Sequence, residues 1–379
     1  MKKEKTEVIV IGAGPSGIVS ASYLHKNGIK VTLLEKAIFP RFSIGESLLP
    51  QSMDNFEEAG LLEALKKEGF QKKFGARFIR KKEISEFMFK DKFGNGWDWT
   101  WQVPRADFDN ALAEEAIRKG VTIEFGATIS TIAIDEKVHL IFKDKEGEER
   151  ELSADFIIDS SGNGRVLAKQ LALEAPPKIA QHASIFTQIK EANRPQGKEG
   201  EQISFEILNT QIWFWYIPFS NGNSSIGFVG PRDWFNGFFE KTDIAFKEML
   251  LKLNFYKNRF DEYLPLFSPV KVENISKNVT KLYGEKFVLT GNSAEFLDPI
   301  FSSGVSFATY SGLLAAKLII KTFEGKKVDW ETEYAEAIKK GVNVFASYVK
   351  SWYSGELQEI VFHKNPNQDI REKICAVLA

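Results

Sequence analysis

The sequence predicts an α/β protein with a parallel-sheet domain, a second domain built on an antiparallel sheet, and helices at the C-terminus. Residues 6–36 have the strand, glycine turn, helix and strand order of a βαβ unit. Two later stretches, 70–104 and 175–285, lack this rhythm and are rich in aromatic and β-branched residues, as antiparallel strands are. The final stretch, from residue 329, reads as helical and contains no repeat.

Composition places the chain among ordinary globular proteins. Its 379 residues predict one large domain or two closely joined domains, and 43% hydrophobic with 27% charged residues provides a sizeable core. The net charge of −1 gives no reason to expect a nucleic-acid partner. The lysines are interspersed with glutamates, so the charged runs are expected to cover solvated faces.

The cysteine and histidine content argues against several kinds of site. Cys375 is the only cysteine, which excludes an internal disulfide and fits a reducing compartment. No apolar run reaches the roughly 18 residues of a transmembrane helix, so we expect a soluble cytoplasmic protein. No metal site is expected, because the histidines are scattered without ligand spacing; they are His25, His139, His182 and His363.

The stretch TEVIVIGAGPSGIVSASYLHKNGIKVTLLEK is a complete βαβ opening. Its first apolar run is too short for a helix and predicts a buried parallel strand. Gly12, Gly14 and Gly17 then follow in G-x-G-x-x-G spacing, which permits a tight turn, close approach to a pyrophosphate, and close packing of helix on strand. Pro15 suits the first helical turn, where its missing N–H costs nothing. The unit predicts a dinucleotide site, with Ser16 beside the phosphates.

An acidic residue ends the second strand of this unit. Glu35 follows Gly17 by 18 residues, where a carboxylate can accept hydrogen bonds from ribose hydroxyls. A glutamate disfavours a 2′-phosphate, so FAD or NAD is expected rather than NADP, and Lys36 belongs to the predicted site. The unit alone does not separate FAD from NAD, and a glycine-rich structural turn is the alternative reading.

Three later segments decide between these cofactors by resemblance. They are VPRADFDNALAEEAIRKGVTIEFGATI, ADFIIDSSGNGR and KFVLTGNSAEFLDPIFSSGVSFATYSGLLAAKLI. They resemble the group A flavoprotein monooxygenase and geranylgeranyl reductase superfamily, whose members assemble a Rossmann-like FAD-binding domain from non-contiguous segments. The resemblance spans nearly the whole chain and implies FAD. It implies an FAD-binding domain of residues 1–69, 105–174 and 286–328, an antiparallel-sheet substrate domain of 70–104 and 175–285, and a C-terminal helical segment of 329–379.

The resemblance also implies which residues bind the cofactor. Arg41 and Ser47, in FPRFSIGESLLP, would lie along the flavin, and Arg105 would contact the nucleotide. GNSAEFLDP matches the superfamily segment G-D-A…D-P, but the acid that binds the ribityl chain is replaced by Asn292, an amide without charge. The helix that begins near Gly304 would direct its positive end at the flavin pyrimidine, favouring a bound anion. The other expected contacts of this segment are Gly291, Asp298 and Val305.

The stretch WFWYIP narrows the resemblance. W-x-W-x-I-P is the signature that flavin-dependent halogenases carry in the domain facing the flavin. Here it comprises Trp213, Trp215, Ile217 and Pro218. Two indoles two residues apart on a strand project to one face at roughly 7 Å spacing. They can wall the flavin off from an organic substrate while a halide passes; plain core packing is the alternative.

A lysine follows the helix after GESLLP, as in the phenol and pyrrole branch of halogenases. This resemblance makes Lys73 the candidate catalytic lysine and Lys72 the fallback, although a solvated lysine is the alternative in such a charged stretch. Burial would lower its pKa from about 10.4. DPIFSSGV matches the segment whose Ser303 and Gly304 backbone would hold the halide.

The resemblance implies an FAD-dependent oxidoreductase that uses FADH₂, oxygen and chloride or bromide to make hypohalous acid. A separate flavin reductase would supply FADH₂. The lysine would deliver the halogen to a small phenol- or pyrrole-like aromatic substrate, free or tethered to a carrier protein.

Three alternatives stay open at this point. A geranylgeranyl-type reductase would add hydride to isoprenoid double bonds, but its motif is Y/F-x-W-x-F-P, which Trp213 and Ile217 do not match. An aromatic monooxygenase would oxygenate the substrate directly. A flavin-binding protein without turnover is favoured by Asn292 and by SGVSFA, where phenolic halogenases more often have SGVHLA. The chain ends at KICAVLA with no evident helix cap, which leaves open whether a tail follows.

Overall fold

The computed structural model describes residues 2–191, 193–238, 242–260, 262, 264–365 and 367–378. Within them, the strands in chain order are β1 (Lys2–Lys5), β2 (Val8–Ile11), β3 (Val31–Glu35), β4 (Gln71–Lys73), β5 (Gly75–Arg80), β6 (Glu83–Met88), β7 (Thr100–Gln102), β8 (Thr122–Phe125), β9 (Thr128–Ile134), β10 (Val138–Lys143), β11 (Glu149–Ala154), β12 (Phe156–Asp159), β13 (Glu174–Ala175), β14 (His182–Lys190), β15 (Ser204–Asn209), β16 (Ile212–Pro218), β17 (Asn223–Pro231), β18 (Val270–Val272), β19 (Asn278–Val279) and β20 (Phe287–Leu289).

The helices of the same residues are α1 (Pro15–Lys26), α2 (Gln51–Glu58), α3 (Leu62–Lys67), α4 (Arg105–Arg118), α5 (Val166–Gln170), α6 (Lys198–Glu201), α7 (Arg232–Phe235), α8 (Thr242–Leu250), α9 (Gly304–Phe323), α10 (Ala337–Ser354), α11 (Glu356–Val361) and α12 (Gln368–Leu378). Short 3₁₀ turns occupy Phe89–Asp91, Gly162–Gly164, Gly291–Ser293 and Pro299–Phe301, and a π-helical turn, Glu331–Glu336, leads into α10.

A parallel sheet of order β20-β12-β2-β3-β8 forms the centre of the first domain. Strands β2 (VIVI) and β12 (FIID) are buried along their whole length, as expected of parallel strands covered on both faces. The carboxyl ends of β2, β3, β12 and β20 meet at one edge, where ligands bind in open parallel sheets. This arrangement confirms the predicted Rossmann-like α/β fold.

A larger sheet of order β18-β14-β17-β16-β15-β5-β6 forms the second domain. Its two faces pack against different partners: Trp213 and Trp215 belong to the core shared with the first domain, whereas Phe214 and Tyr216 belong to a separate core that includes α8. The predicted hairpin around NGN is confirmed by the antiparallel pairing of β16 with β17. One pairing differs from the prediction, because β15 runs parallel to β5.

The prediction that WDWTWQV is a strand of this sheet is wrong. Only Thr100–Gln102 is extended, and it pairs with β4 in a separate two-stranded ribbon. The residues before it leave the sheet because Gly94 and Gly96 have positive φ angles of +101° and +126°, and because the Trp97 indole donates to Asp54 of α2 at 2.8 Å. The ribbon is what positions Lys73.

The C-terminal stretch is helical, as predicted. Helices α10 and α11 pack on each other, and α12 packs on the Phe89–Asp91 turn. A fourth sheet, of order β1-β11-β10-β9, lies at the N-terminal side of the parallel sheet. Across the described ranges, every helix is either too short or too polar to span a bilayer.

Candidate active site

The glycine turn after β2 has the geometry that a dinucleotide requires. Gly12 has φ +95°, and a Cβ there would lie 2.5 Å from the Ser160 carbonyl oxygen; a Cβ on Gly17 would lie 1.9 Å from the Gly12 oxygen. At Gly14, by contrast, a Cβ would meet only the Arg41 guanidinium among the described residues, at 3.8 Å. The first and third glycines are therefore needed for packing, and the second leaves an open approach to the N-terminus of α1. This cradle fits the pyrophosphate of FAD.

Glu35 holds this turn in place. Its carboxylate accepts hydrogen bonds from the backbone N–H of Ala13 at 2.7 Å and of Ala37 at 2.8 Å, which joins the turn to the end of β3. Lys36 is exposed beside it. The Ser16 hydroxyl donates to Thr290 Oγ1 at 2.8 Å, so this hydroxyl is engaged in the protein interior.

Asp109 joins the two predicted arginines, and sequence reasoning missed it. The fully buried carboxylate lies 3.0 Å from Arg41 Nη1 and accepts bonds from Arg105 Nε at 2.8 Å and Nη2 at 2.9 Å. Arg105 also donates to the Ile44 oxygen at 2.6 Å. Arg41 Nε also lies 4.0 Å from Glu35 Oε1, so the two arginines face two carboxylates, and the Arg41 guanidinium beside Gly14 can still donate to a pyrophosphate. The i,i+4 spacing of Arg105 and Asp109 on α4 was the signal that could have indicated this pair.

The turn after β20 is held by a buried arginine. Arg165 donates to the backbone oxygens of Asn292 at 3.1 Å and Ser293 at 3.3 Å, and the Gly291 N–H donates to Ser311 Oγ at 2.9 Å. The Asn292 side chain itself lies at the exposed edge of the site, 3.5 Å from Asn163 Oδ1. Its amide is thus accessible to a ligand, as the resemblance requires.

Lys73 is buried, with 2% of its surface exposed. Its Nζ donates to Ser47 Oγ at 2.9 Å and to the Leu48 oxygen at 2.8 Å, and it lies 5.2 Å from the centre of the Phe89 ring. It forms no ion pair with a carboxylate in the part of the chain that the structure describes. Burial without a counter-charge lowers the pKa of Lys73 to about 7. The fallback, Lys72, is exposed and lies over the Trp99 ring at 4.8 Å.

Ser47 connects Lys73 to the N-terminus of α9. Ser302 Oγ donates to Ser47 Oγ at 3.1 Å, and Ser302 has the left-handed φ of +56° that brings the chain into the helix. At the start of α9, Ser303 is the N-cap and Gly304 and Val305 form the first turn, which has no acidic residue. The hydroxyl of Ser306 is buried without a partner among the described residues. A helix N-terminus that lacks an acidic or side-chain cap favours an anion.

The two tryptophans lie side by side on the inner face of the large sheet, as predicted. Their ring centres are 6.0 Å apart, and Trp213 and Trp215 are 1% and 5% exposed. Trp215 packs so tightly on β17 that a Cβ on Gly227 would lie 2.4 Å from its Cζ2. Their fixed positions are compatible with both a cavity wall and a core.

Asp298 is engaged by residues that the sequence did not indicate. It accepts bonds from the Ile300 N–H at 3.0 Å and from the Tyr353 hydroxyl at 3.1 Å, and it lies 3.3 Å from His182 Nδ1. The His182 and Tyr353 rings stack with centres 4.0 Å apart. Burial and the Asp298 charge raise the pKa of the Tyr353 hydroxyl well above its usual value. The helical segment therefore contributes directly to the site.

Glu46, within GESLLP, is a second buried carboxyl that the sequence did not assign. It is 2% exposed, and Gln188 Nε2 donates to its Oε1 at 2.6 Å. Burial raises the pKa of Glu46 to about 7, against the opposing hydrogen bonds of Ser225 and Gln188 and the charge of Arg105.

A cavity of about 570 Å³ opens beside the N-terminus of α9. Ser303 and Gly304 line it, and Leu49, Phe307 and Phe345 contribute apolar walls. Its size is within the range of small-molecule sites, about 300–1,000 Å³. Phe93, which is 70% exposed, and the exposed Lys340 also line the cavity, toward solvent.

Comparison with known proteins agrees with this geometry. Residues 5–234 match the FAD binding domain family. The chain is 26% identical to a 1H-pyrrole-2-carbonyl peptidyl-carrier-protein chlorinase of Pseudomonas fluorescens, over 97% of this chain and 87% of that protein. Its structure is similar to that of a flavin-dependent brominase, at 26% identity and TM-score 0.86, covering 99% of this chain and 93% of that one.

A further solved structure is more similar overall. It is described as a flavoprotein/dehydrogenase from Cytophaga hutchinsonii, with 45% identity and TM-score 0.96, covering 99% of this chain and 92% of that one. FAD is the cofactor that the matched family binds and that the glycine cradle fits. The chain belongs to the FAD binding domain family and is an FAD-dependent oxidoreductase, and the relatives that it matches over most of its length include flavin-dependent halogenases.

Proposed function

We propose that this protein halogenates a phenol- or pyrrole-like aromatic ring with FADH₂ from a separate flavin reductase, oxygen, and chloride or bromide. The observation that carries the proposal is Lys73, a buried lysine that no carboxylate of the described residues pairs with and that is linked through Ser47 to the start of α9. When bound, FAD supplies the reductive activation of oxygen that turns halide into an oxidised halogen.

Lys73 would act as the catalytic residue that receives the oxidised halogen. With a pKa of about 7, its amine carries a free electron pair in part of the molecules at neutral pH. This amine can attack the halogen of hypohalous acid, so that an N–halogen bond forms while the O–halogen bond breaks and water leaves with an amine proton. A surface lysine, with a pKa of about 10.4, is almost entirely protonated at neutral pH and is therefore a far weaker nucleophile. Ser47 and the Leu48 oxygen fix its direction, since both accept its hydrogen bonds.

The start of α9 would hold the halide. The backbone N–H groups at Ser303, Gly304 and Val305 point out of the helix, and no side chain of the described residues caps them. A chloride or bromide there would lie on the same hydroxyl chain, Ser302 and Ser47, that ends at Lys73. The positive end of the helix offsets part of the cost of removing the anion from water.

The cavity beside α9 would admit the aromatic substrate. It contacts the proposed halide site through Ser303 and Gly304, and its wall residue Leu49 directly follows the Leu48 carbonyl that binds Lys73. An opening to solvent allows either a free aromatic acid or one carried on a flexible arm. The chlorinase relative acts on a carrier-bound pyrrole, and we propose a tethered pyrrole or phenol as the first substrate class to test.

The test supplies purified protein with FAD, a flavin reductase, NADH, oxygen and bromide or chloride, and analyses a substrate panel by mass spectrometry. The panel contains free phenols and pyrroles and their carrier-bound esters. Halogenated product that requires protein, halide and oxygen supports the proposal. A hydroxylated ring would replace it with a monooxygenase, and saturation of an isoprenoid double bond without oxygen would replace it with a reductase.

A further inference from the structure

Each indole of the W-x-W motif donates its only polar hydrogen to a single hydroxyl group. Trp213 Nε1 donates to the Tyr353 hydroxyl at 2.9 Å, and Trp215 Nε1 donates to Ser225 Oγ at 3.1 Å. Tyr353 comes from α10 and Ser225 from the neighbouring strand β17. The two indoles are therefore held from opposite directions, one by a helix and one by their own sheet.

The Tyr353 hydroxyl in turn donates to a buried carboxylate. It lies 3.1 Å from Asp298 Oδ2 and 3.2 Å from Oδ1, and Asp298 is 2% exposed. Ser225 is itself buried, so the hydroxyl that accepts from Trp215 is enclosed by protein. Trp213 is therefore held through a chain of indole, hydroxyl and carboxylate, and Trp215 through one buried hydroxyl.

We propose that these hydrogen bonds form an indole clamp: Tyr353, held by Asp298, and Ser225 are positioning residues that fix the ring planes of Trp213 and Trp215. This inference rests on the proposed function and on the role that the halogenase resemblance gives the two rings, which is to wall the flavin off from the organic substrate. The clamp connects the acid of FLDP with the tryptophans of WFWYIP. It also assigns a role to α10, which the motifs do not include.

The hydrogen bonds add a directional constraint to the packing of the two rings. Trp213 contacts Phe205 edge-on at 5.6 Å and Trp215 at 6.0 Å, and such ring contacts are less directional than a hydrogen bond. A hydrogen bond from Nε1 is directional and is lost when the ring turns. A buried indole N–H without its partner would also carry a desolvation cost. The hydroxyls therefore select one orientation of each ring.

Exchange of the indole hydrogens tests the clamp without any catalytic activity. Protein labelled with ¹⁵N in tryptophan is transferred to D₂O, and the two signals are assigned with Trp213→Phe and Trp215→Phe. We expect Tyr353→Phe to speed exchange at Trp213 alone, and Ser225→Ala at Trp215 alone, by roughly 5- to 30-fold for a lost buried hydrogen bond. Tyr348→Phe, on the same helix with its ring edge-on to Phe301, is the matched control and should change neither.

The second readout is how the protein divides reduced flavin between halogenated product and hydrogen peroxide. Tyr353→Phe and Ser225→Ala should raise the peroxide or oxygenated-substrate share, while Tyr348→Phe keeps the wild-type ratio. Unchanged exchange in both cognate variants overturns the clamp, as does an unchanged product ratio alongside faster exchange. A wild type that halogenates no substrate instead overturns the proposed function, and the exchange experiment then still decides the clamp.

Discussion

Replacing Lys73 by methionine should stabilise the fold, by an amount that depends on pH. Burial lowers the pKa of this amine from 10.5 to about 7, so the unfolded chain binds a proton that the folded protein has released. The free energy of unfolding of the wild type should therefore rise as the pH increases from 7 to 10.5. This added stability is complete above pH 10.5 and is lost again as the pH falls to 7. The full shift corresponds to about 5 kcal/mol, at about 1.36 kcal/mol per pKa unit.

Urea unfolding of the wild type and of Lys73→Met between pH 7 and 9 measures this effect. Across that interval, the free energy of unfolding of the wild type should rise by about 2 kcal/mol relative to that of the variant, because methionine does not titrate. Lys72→Met is the matched control, since Lys72 is exposed, and its difference from wild type should stay within about 0.5 kcal/mol at every pH. A constant difference between Lys73→Met and wild type would refute the desolvated amine.

Three other substitutions follow from the site. Burial raises the pKa of Glu46 to about 7, so the free energy of unfolding of the wild type should fall as the pH rises from 4.5 through 7. Glutamine does not titrate, so the free energy of unfolding of Glu46→Gln should rise relative to that of the wild type by up to about 3 kcal/mol over this interval in urea unfolding. Gly227→Ala would place a Cβ 2.4 Å from Trp215 Cζ2, so the ring must move and the peroxide share in the product assay should rise. Asp109→Asn removes the charge that joins two arginines, and fluorescence titration should show FAD affinity falling about tenfold or more.

The parallel-sheet domain could be predicted from the sequence because its signals are local. The glycine spacing after β2, the acid that ends β3 and the apolar run of β12 each predict their own structure within a few residues. The hairpin at NGN could also be predicted from a local signal, since its turn residues specify it. The segment before β7 was predicted wrongly, because its alternating tryptophans have a strand-like period although Trp97 is bonded to α2. The parallel pairing of β15 with β5 was also not predicted, because it joins strands far apart in the chain.

The contacts within the site could not be predicted in this way, because they depend on residues far apart in the chain. Nothing near Lys73 in the sequence indicates burial; pairing of β4 with β7 and the Ser47 segment produce it. Tyr353 reaches Asp298 across 55 residues from a helix with an ordinary amphipathic pattern. The resemblance to halogenases identified Lys73 as a candidate, but motifs do not identify residues outside them, such as Tyr353.

The most direct test of the account compares Lys73→Ala with Lys72→Ala in the halogenation assay. Both variants should bind FAD and consume reduced flavin as the wild type does. We predict that Lys72→Ala retains halogenated product, and that Lys73→Ala loses it and releases the consumed reducing equivalents as hydrogen peroxide. Equal halogenation by both variants would contradict the role given to the buried lysine.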